Sequence, residues 1–186
     1  IMTNLDNIFQ EMEAKTQKNE GSDFYKVVEG SNKLRILTDF QKVETIFKNN
    51  RFVAFNFEGR KLEQDEVVRT QAWAWAINRQ NNELVIVQFG KTILGQIVAY
   101  RNSSDYGFST FPMPYDIDLR AKGAGTKEVE YTIVPARANT EVSQSEMEML
   151  NKKKTISDIV KAIIAKQNEK NVGYEYPENN LGEPKF

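Results

Sequence analysis

The chain contains no cysteine and no histidine, and only two tryptophans and five prolines, among its 186 residues. Without cysteine there are no disulfides and no thiolate nucleophiles. Without either residue the usual zinc sites and every histidine-based acid–base or triad mechanism are closed off. A protein that is not an enzyme, with no cofactor and no metal, is therefore expected. The sequence also lacks an apolar run of about eighteen residues and a charged-then-apolar leader, so neither a membrane span nor a signal peptide is visible. A soluble, intracellular protein without a membrane partner is the expectation.

What is present suits one domain with appendages: 40% of the residues are hydrophobic, enough for one core. The formal net charge of −1 hides an asymmetry. Residues 1–32 carry three Lys/Arg against six Asp/Glu, residues 33–137 fifteen against twelve, and residues 138–186 seven against eight. Positive charge thus concentrates in the middle, which permits a local phosphate-binding face.

Residues 1–23 read as an N-terminal amphipathic helix, from Thr3 to about Lys18. Leu5, Ile8, Phe9 and Met12 fall at i, i+3, i+4 and i+7 behind a Thr3-x-x-Asp6 capping pattern. It either docks on its own domain or mediates self-association. The first strand is Lys33 to Leu37, where Leu34 and Ile36 alternate with charged neighbours. From Asp39 to Val68 the chain is aromatic and charged. It is read as an elaborated connection with a hairpin of its own, because so long a structureless loop is uncommon in a compact domain.

Arg69 to Arg79 alternates strictly, Asn81-Asn82 supplies a turn, and Glu83 to Phe89 is rich in β-branched residues, which together make a hairpin. A short helix over Thr92–Tyr100 follows, with Ile93, Leu94, Ile97 and Val98 at helical spacing. Tyr115–Lys122 and Lys127–Pro135 alternate on either side of a Gly123-Ala124-Gly125-Thr126 turn. Strand, long connection, hairpin, helix, hairpin is the order of a five-stranded OB-type barrel with its helix between strands three and four. An SH3-like barrel is the competing choice, and the helix position favours OB. The fold class expected is mainly β with flanking helices (α+β), the OB-type nucleic-acid-binding domain covering 24–137.

Residues 138–170 read as a C-terminal helical segment. Ser143-x-x-Glu146 is a capping box, and Thr155-x-x-Asp158 opens a helix with Ile156, Ile159, Val160, Ile163 and Ile164 on one stripe. Residues 171–186, with Gly173, Pro177, Gly182, Pro184 and scattered Glu, read as a flexible acidic and aromatic tail.

OB barrels hold single strands with aromatic faces that stack bases and with Lys/Arg that follow phosphates. Trp73, Trp75 and Ile77 share one face of the Arg69–Arg79 strand, with Arg69 and Arg79 at its ends, and Ala72, Ala74 and Ala76 form the other. That face is either a base-stacking platform or, for at least one Trp, core. The connection interleaves Phe52, Phe55 and Phe57 with Lys48, Arg51, Arg60 and Lys61, as a binding loop or as a cover on the barrel. Arg120 and Lys122 beside the Gly-Ala-Gly turn are placed for phosphate. Asp116 and Asp118, two apart on one strand, suit a solvated face better than a divalent metal. Lys152-Lys153-Lys154 is helix-end charge or an extension of the phosphate track.

Three stretches resemble tailed-phage single-stranded DNA-binding proteins. They are Glu29-Gly30-Ser31-Asn32-Lys33-Leu34-Arg35-Ile36-Leu37, the Trp-containing strand ending Ile77-Asn78-Arg79, and Tyr115-Asp116-Ile117 through Gly123 to Tyr131-Thr132-Ile133-Val134-Pro135. The likeness spans about residues 24–136. It implies an OB fold that coats single-stranded DNA, with RNA as the other choice, during replication and recombination without sequence preference. It also implies a cytoplasmic site of action, in the host if the chain is phage-encoded. An acidic C-terminal tail would recruit replication or recombination proteins: Glu175, Glu178 and Glu183 lead to a terminal Phe186, the expected partner-binding residue, although Lys185 departs from the pattern. Some relatives carry a structural zinc, which a chain without His or Cys should not. The alternatives are an OB-fold scaffold or protein-interaction module of a phage replication or virion assembly, and a metal-dependent nuclease using Asp116 and Asp118.

Overall fold

A computed structural model describes residues 23–48, 51–55, 62–64 and 66–172. Seven strands form one antiparallel sheet: β1 Gly30–Ile36, β2 Gln41–Lys48, β3 Arg51–Ala54, β4 Val68–Asn78, β5 Glu83–Phe89, β6 Ile117–Lys122 and β7 Glu130–Pro135. Among the described residues three helices accompany it: α1 Lys91–Arg101 between β5 and β6, then α2 Gln144–Asn151 and α3 Ile156–Val172. The chain is mainly β with helices, as read from the sequence, and none of these helices is long and apolar enough to cross a membrane. The helix expected within residues 1–23 and most of the tail expected at 171–186 lie outside the described residues.

The sheet is ordered β3-β2-β4-β1-β6-β7, with β5 on the other edge of β4. β4 is the hub. Its first half pairs with β2 (Gln41↔Trp73 to Ile46↔Val68), its last residues with β1 (Ile36↔Ala76), and its opposite edge with β5 (Ala72↔Phe89 to Asn78↔Glu83). Between β1 and β2 the chain bends away from the ladder. Leu37 N donates to Trp75 O at 2.9 Å and Trp75 N donates to Thr38 Oγ1 at 3.0 Å, so the backbone of β4 stays satisfied through the bend. The hairpin expected inside the 39–68 connection is β2–β3.

Side chains alternate across β4, and both of its faces are covered. Ala74 and Ala76 enter one core with Leu34, Ile36, Val87, Phe89, Ile117, Leu119 and Ile133, closed from outside by Ile93 and Ile97 of α1. Trp73 and Trp75 enter a second core on the opposite face with Val43, Ala54, Ile86 and Ile156 of α3. The volume left by the alanines is filled from β5, β6 and the Met113–Tyr115 segment, which is why small residues suffice there. Buried Asn32 is saturated: its Oδ1 accepts Tyr25 OH at 2.7 Å and Val28 N at 2.9 Å, and its Nδ2 donates to Val28 O and Leu119 O.

The tight turns use residues that tolerate positive φ. Gly123 (φ 75°) and Gly125 (φ 83°) turn β6 into β7, and Asn82 (φ 57°) turns β4 into β5.

The pairings of the described residues do not join β5 to β7. Helix α1 lies along β7 instead. The Gln96 amide donates to Tyr131 O at 2.8 Å and accepts Ile133 N at 2.8 Å, and Tyr100 OH donates to Ile133 O at 3.0 Å. Side chains of α1 therefore satisfy the β7 edge that a neighbouring strand would otherwise pair.

Candidate nucleic-acid interface

The open aromatic element is the β2–β3 hairpin. Its register pairs Phe47 with Phe52 and Lys48 with Arg51. Cross-strand partners share a face, and the two phenyl rings lie 5.0 Å apart at 54°. Phe47 is 44% exposed, and Phe52 is half-buried. The same register logic runs on through Thr45↔Arg69 and Gln41↔Trp73, so exposed Arg69 stands on the same face of the sheet as Phe47, Phe52 and Trp73. The hairpin end thus offers ring surface and cationic residues close together, which is what base stacking and phosphate contact require.

The two tryptophans correct the sequence expectation. Trp73 is 0% and Trp75 2% exposed, so neither ring presents a face to a base in this conformation. Phe24 packs edge-on to Trp73 with centroids 4.9 Å apart, and Trp73 Nε1 donates to Gln71 Oε1. Trp75 Nε1 donates to Lys154 O at 2.9 Å, with Lys153 Nζ 5.4 Å from its ring centroid. The cause is α3, whose Ile156, Ile159, Val160 and Ile163 cover this face. The apolar stripe legible in the sequence docks on both tryptophans, so of the two choices for this face, platform or core, it is core.

Arg79 is likewise committed. Its guanidinium pairs with Asp116 Oδ1 at 3.1 Å and with Glu146 of α2, so it is not a free phosphate contact. Asp116 also receives fully buried Arg35 at 2.6 Å, and Arg35 donates onward to Thr140 O. Glu146 caps α2 by accepting Ser143 N at 2.8 Å, completing the capping box read from the sequence. Burial works against the Glu146 charge, but the Ser143 backbone N–H and Arg79 outweigh it and hold the carboxyl below its ordinary value. A chain of charges from Arg35 through Asp116 and Arg79 to Glu146 therefore fastens α2 to β1 and β4.

Asp118 is held below the usual carboxylate range: burial opposes its charge, but the Ser31 hydroxyl at 2.7 Å and Arg120 at 3.0 Å prevail. Each carboxylate of the Asp116/Asp118 pair is thus bound to arginine. Among the described residues no group of three or more acids that could hold a metal occurs. Arg120, with its side chain 61% exposed and paired to Asp118, and Lys122 are exposed on β6 beside the glycine turn.

Phe55, proposed from sequence as part of the binding loop, is only 5% exposed and belongs to the interior. Arg60, Lys61 and Phe186 lie outside the described residues, and Arg51 is placed by its backbone register alone. The residue that sequence reasoning left out is Phe47. Its signal is the near-palindrome Phe47-Lys48-Asn49-Asn50-Arg51-Phe52, in which a two-residue Asn-Asn connection brings the flanking residues into register.

A scan against protein-family models and a search of curated proteins find no match to this chain.

Proposed function

We propose that the protein binds single-stranded DNA without catalysis and largely without sequence preference, and that it coats and protects exposed strands during phage replication or recombination. The observation that carries this reading is the Phe47–Phe52 pair, two adjacent rings on an open hairpin with Arg69 on the same face. Stacking on such rings tolerates any base, because every base has a π-face. Arg120 and Lys122, exposed beside the β6–β7 turn, supply phosphate contacts at the opposite end of the strand order.

On this reading the strands β5-β4-β1-β6-β7 are an OB-type barrel whose fifth side is closed by α1 through Gln96. The order of these strands and the helix between β5 and β6, the third and fourth of them along the chain, support it, as does the resemblance of residues 24–136 to phage single-stranded DNA-binding proteins. Residues beyond α3 are proposed to recruit replication or recombination proteins through Phe186, and action in the cytoplasm follows from the same reading.

A second reading has its own observation. Val67 is 49% and Phe47 44% exposed, and Phe47 N donates to Val67 O, so two exposed apolar residues meet at the hairpin as they do at protein-docking patches. A fluorescent oligo-dT titration at about 50 and 200 mM salt separates the two. Tight binding at low salt that weakens steeply at high salt supports nucleic-acid binding. No affinity at low salt, or equal affinity for a matched duplex, leaves the protein-docking role.

A further inference from the structure

The face of β4 that would serve a single strand as its platform is covered by α3, yet the open rings of Phe47 and Phe52 lie on that same face. A strand that stacks there and continues toward β4 meets the outer surface of the helix and not the sheet. The helix and the connection leading into it are rich in lysine. Residues 152–172 contain six lysines against Asp158 and Glu169, whereas the preceding Thr140–Asn151 stretch contains three glutamates and no lysine or arginine. The chain changes sign where α2 ends.

The two ends of the helix are anchored so that its path is defined. At the start, Lys154 O accepts Trp75 Nε1. Toward the other end, the Gln167 amide donates to Ala54 O at 2.9 Å, two residues along β3 from Phe52. With the isoleucine stripe turned to the core, Lys154, Lys161 and Lys166 are exposed. Lys153 pairs with Asp23 at 3.1 Å, while Lys152, Lys154, Lys161 and Lys166 have no ion-pair partner among the described residues. Lys161 and Lys166 are five residues apart on a helix rising about 1.5 Å per residue, or about 7.5 Å.

We propose that the solvent-exposed surface of α3 is a phosphate-binding rail. Lysines 161 and 166, followed by the Lys152–Lys154 connection, take the sugar–phosphate backbone of a single strand as it leaves the Phe47–Phe52 pair. This rests on the single-strand reading above and gives the C-terminal helix two jobs: its apolar stripe completes the second core, and its lysines replace the platform that the stripe covers. The ligand class is a polyanionic single strand, read by charge and not by base identity.

The test is a salt titration of fluorescent oligo-dT binding by the full chain, its K161Q/K166Q variant and its F47A variant. Each lost phosphate contact on a single strand removes about 0.7 from the slope of log K against log salt. The double variant should therefore lose about 1.4 from the slope and bind about 25-fold more weakly near 0.1 M salt. F47A should bind more weakly with its slope intact. Both substitutions in the double variant sit on exposed helix positions, and coincident thermal unfolding with the parent checks that the fold is kept. An unchanged slope in K161Q/K166Q alongside weakened F47A overturns the rail and leaves the single-strand reading standing. Failure of the parent chain to bind overturns both. A red shift of tryptophan emission on saturation also overturns the rail, because it means that α3 has lifted and the strand lies on the sheet.

Discussion

The Gln96 side chain is bound to Ile133 as a strand would be, accepting its amide at 2.8 Å while donating to Tyr131 O two residues earlier. One amide supplies the donor and the acceptor that the β7 edge needs, so a helix residue stands where the β5–β7 pairing would close the sheet. Replacing Gln96 by Met keeps the bulk and leaves two backbone groups unpaired, at a cost of about 1–3 kcal/mol. Urea unfolding should show a lower midpoint with an unchanged slope. A loss below about 0.5 kcal/mol would show that water satisfies the edge equally well.

The buried tryptophans give a second expectation. Free protein should emit with blue-shifted tryptophan fluorescence that saturating oligonucleotide leaves in place. Trp75→Ala should destabilise by about 3–5 kcal/mol, as for large aromatic residues in cores. Trp75→Phe keeps most of the packing but loses the bond to Lys154 O, so hydrogen exchange should quicken in α3 before it quickens in β4. Equal exchange in both helix and strand would contradict this anchoring.

Much of the fold was legible because β4, β5, β6 and β7 carry period-two alternation bounded by Asn and Gly turns, and because the Ser143 and Thr155 capping signals mark where α2 and α3 begin. The site was less legible for a reason of packing. Alternation shows that Trp73 and Trp75 share a face, but not which partner covers that face, and the isoleucine stripe of α3 is far along the chain. Arg79 misled in the same way, since its partners Asp116 and Glu146 come from distant segments. Asn32, in the turn read before the first strand, and Arg35, read only as a strand residue, hold buried networks that no local pattern announces.

Acidity should act first on α2. The Glu146 carboxyl is held below its ordinary value of 4.5, so its contribution is complete above that pH and is lost as the pH falls through the lower folded-state value. Asp118, held below 3.8, adds a second loss in the same direction. Glu146→Gln should flatten the acid limb of the stability profile. An acid limb identical to the parent's would remove Glu146 from the account. At high pH, burial followed by the nearby Tyr100 and Tyr106 pushes the Tyr115 phenol up to about 12, so stability should fall between the ordinary value of 10.0 and about 12. Burial also raises the Tyr25 and Tyr131 phenols, so ultraviolet difference absorbance should find more than one tyrosine that ionises late, and Tyr115→Phe should remove one of them.

Arg120 and Arg79 separate binding from structure. Replacing Arg120 and Lys122 by Gln should lower affinity uniformly across oligonucleotide sequences and reduce the salt slope by about 1.4, with little change in stability. Arg79→Gln should do the reverse, lowering stability while leaving the slope alone, since its guanidinium is already spent on two carboxylates. A reduced slope in Arg79→Gln would mean that this pairing opens when the strand binds.

The most direct measurement of the central claim compares oligo-dT affinity at about 50 mM salt for the parent chain and for Phe47→Ala and Phe52→Ala. Loss of a stacked base costs about 1–3 kcal/mol, so each variant should bind roughly 5- to 150-fold more weakly, with the fold and the preference over matched duplex retained. Parent-like affinity in both variants would contradict the account, because the pair that holds exposed Phe47 against half-buried Phe52 would then have no part in holding the strand.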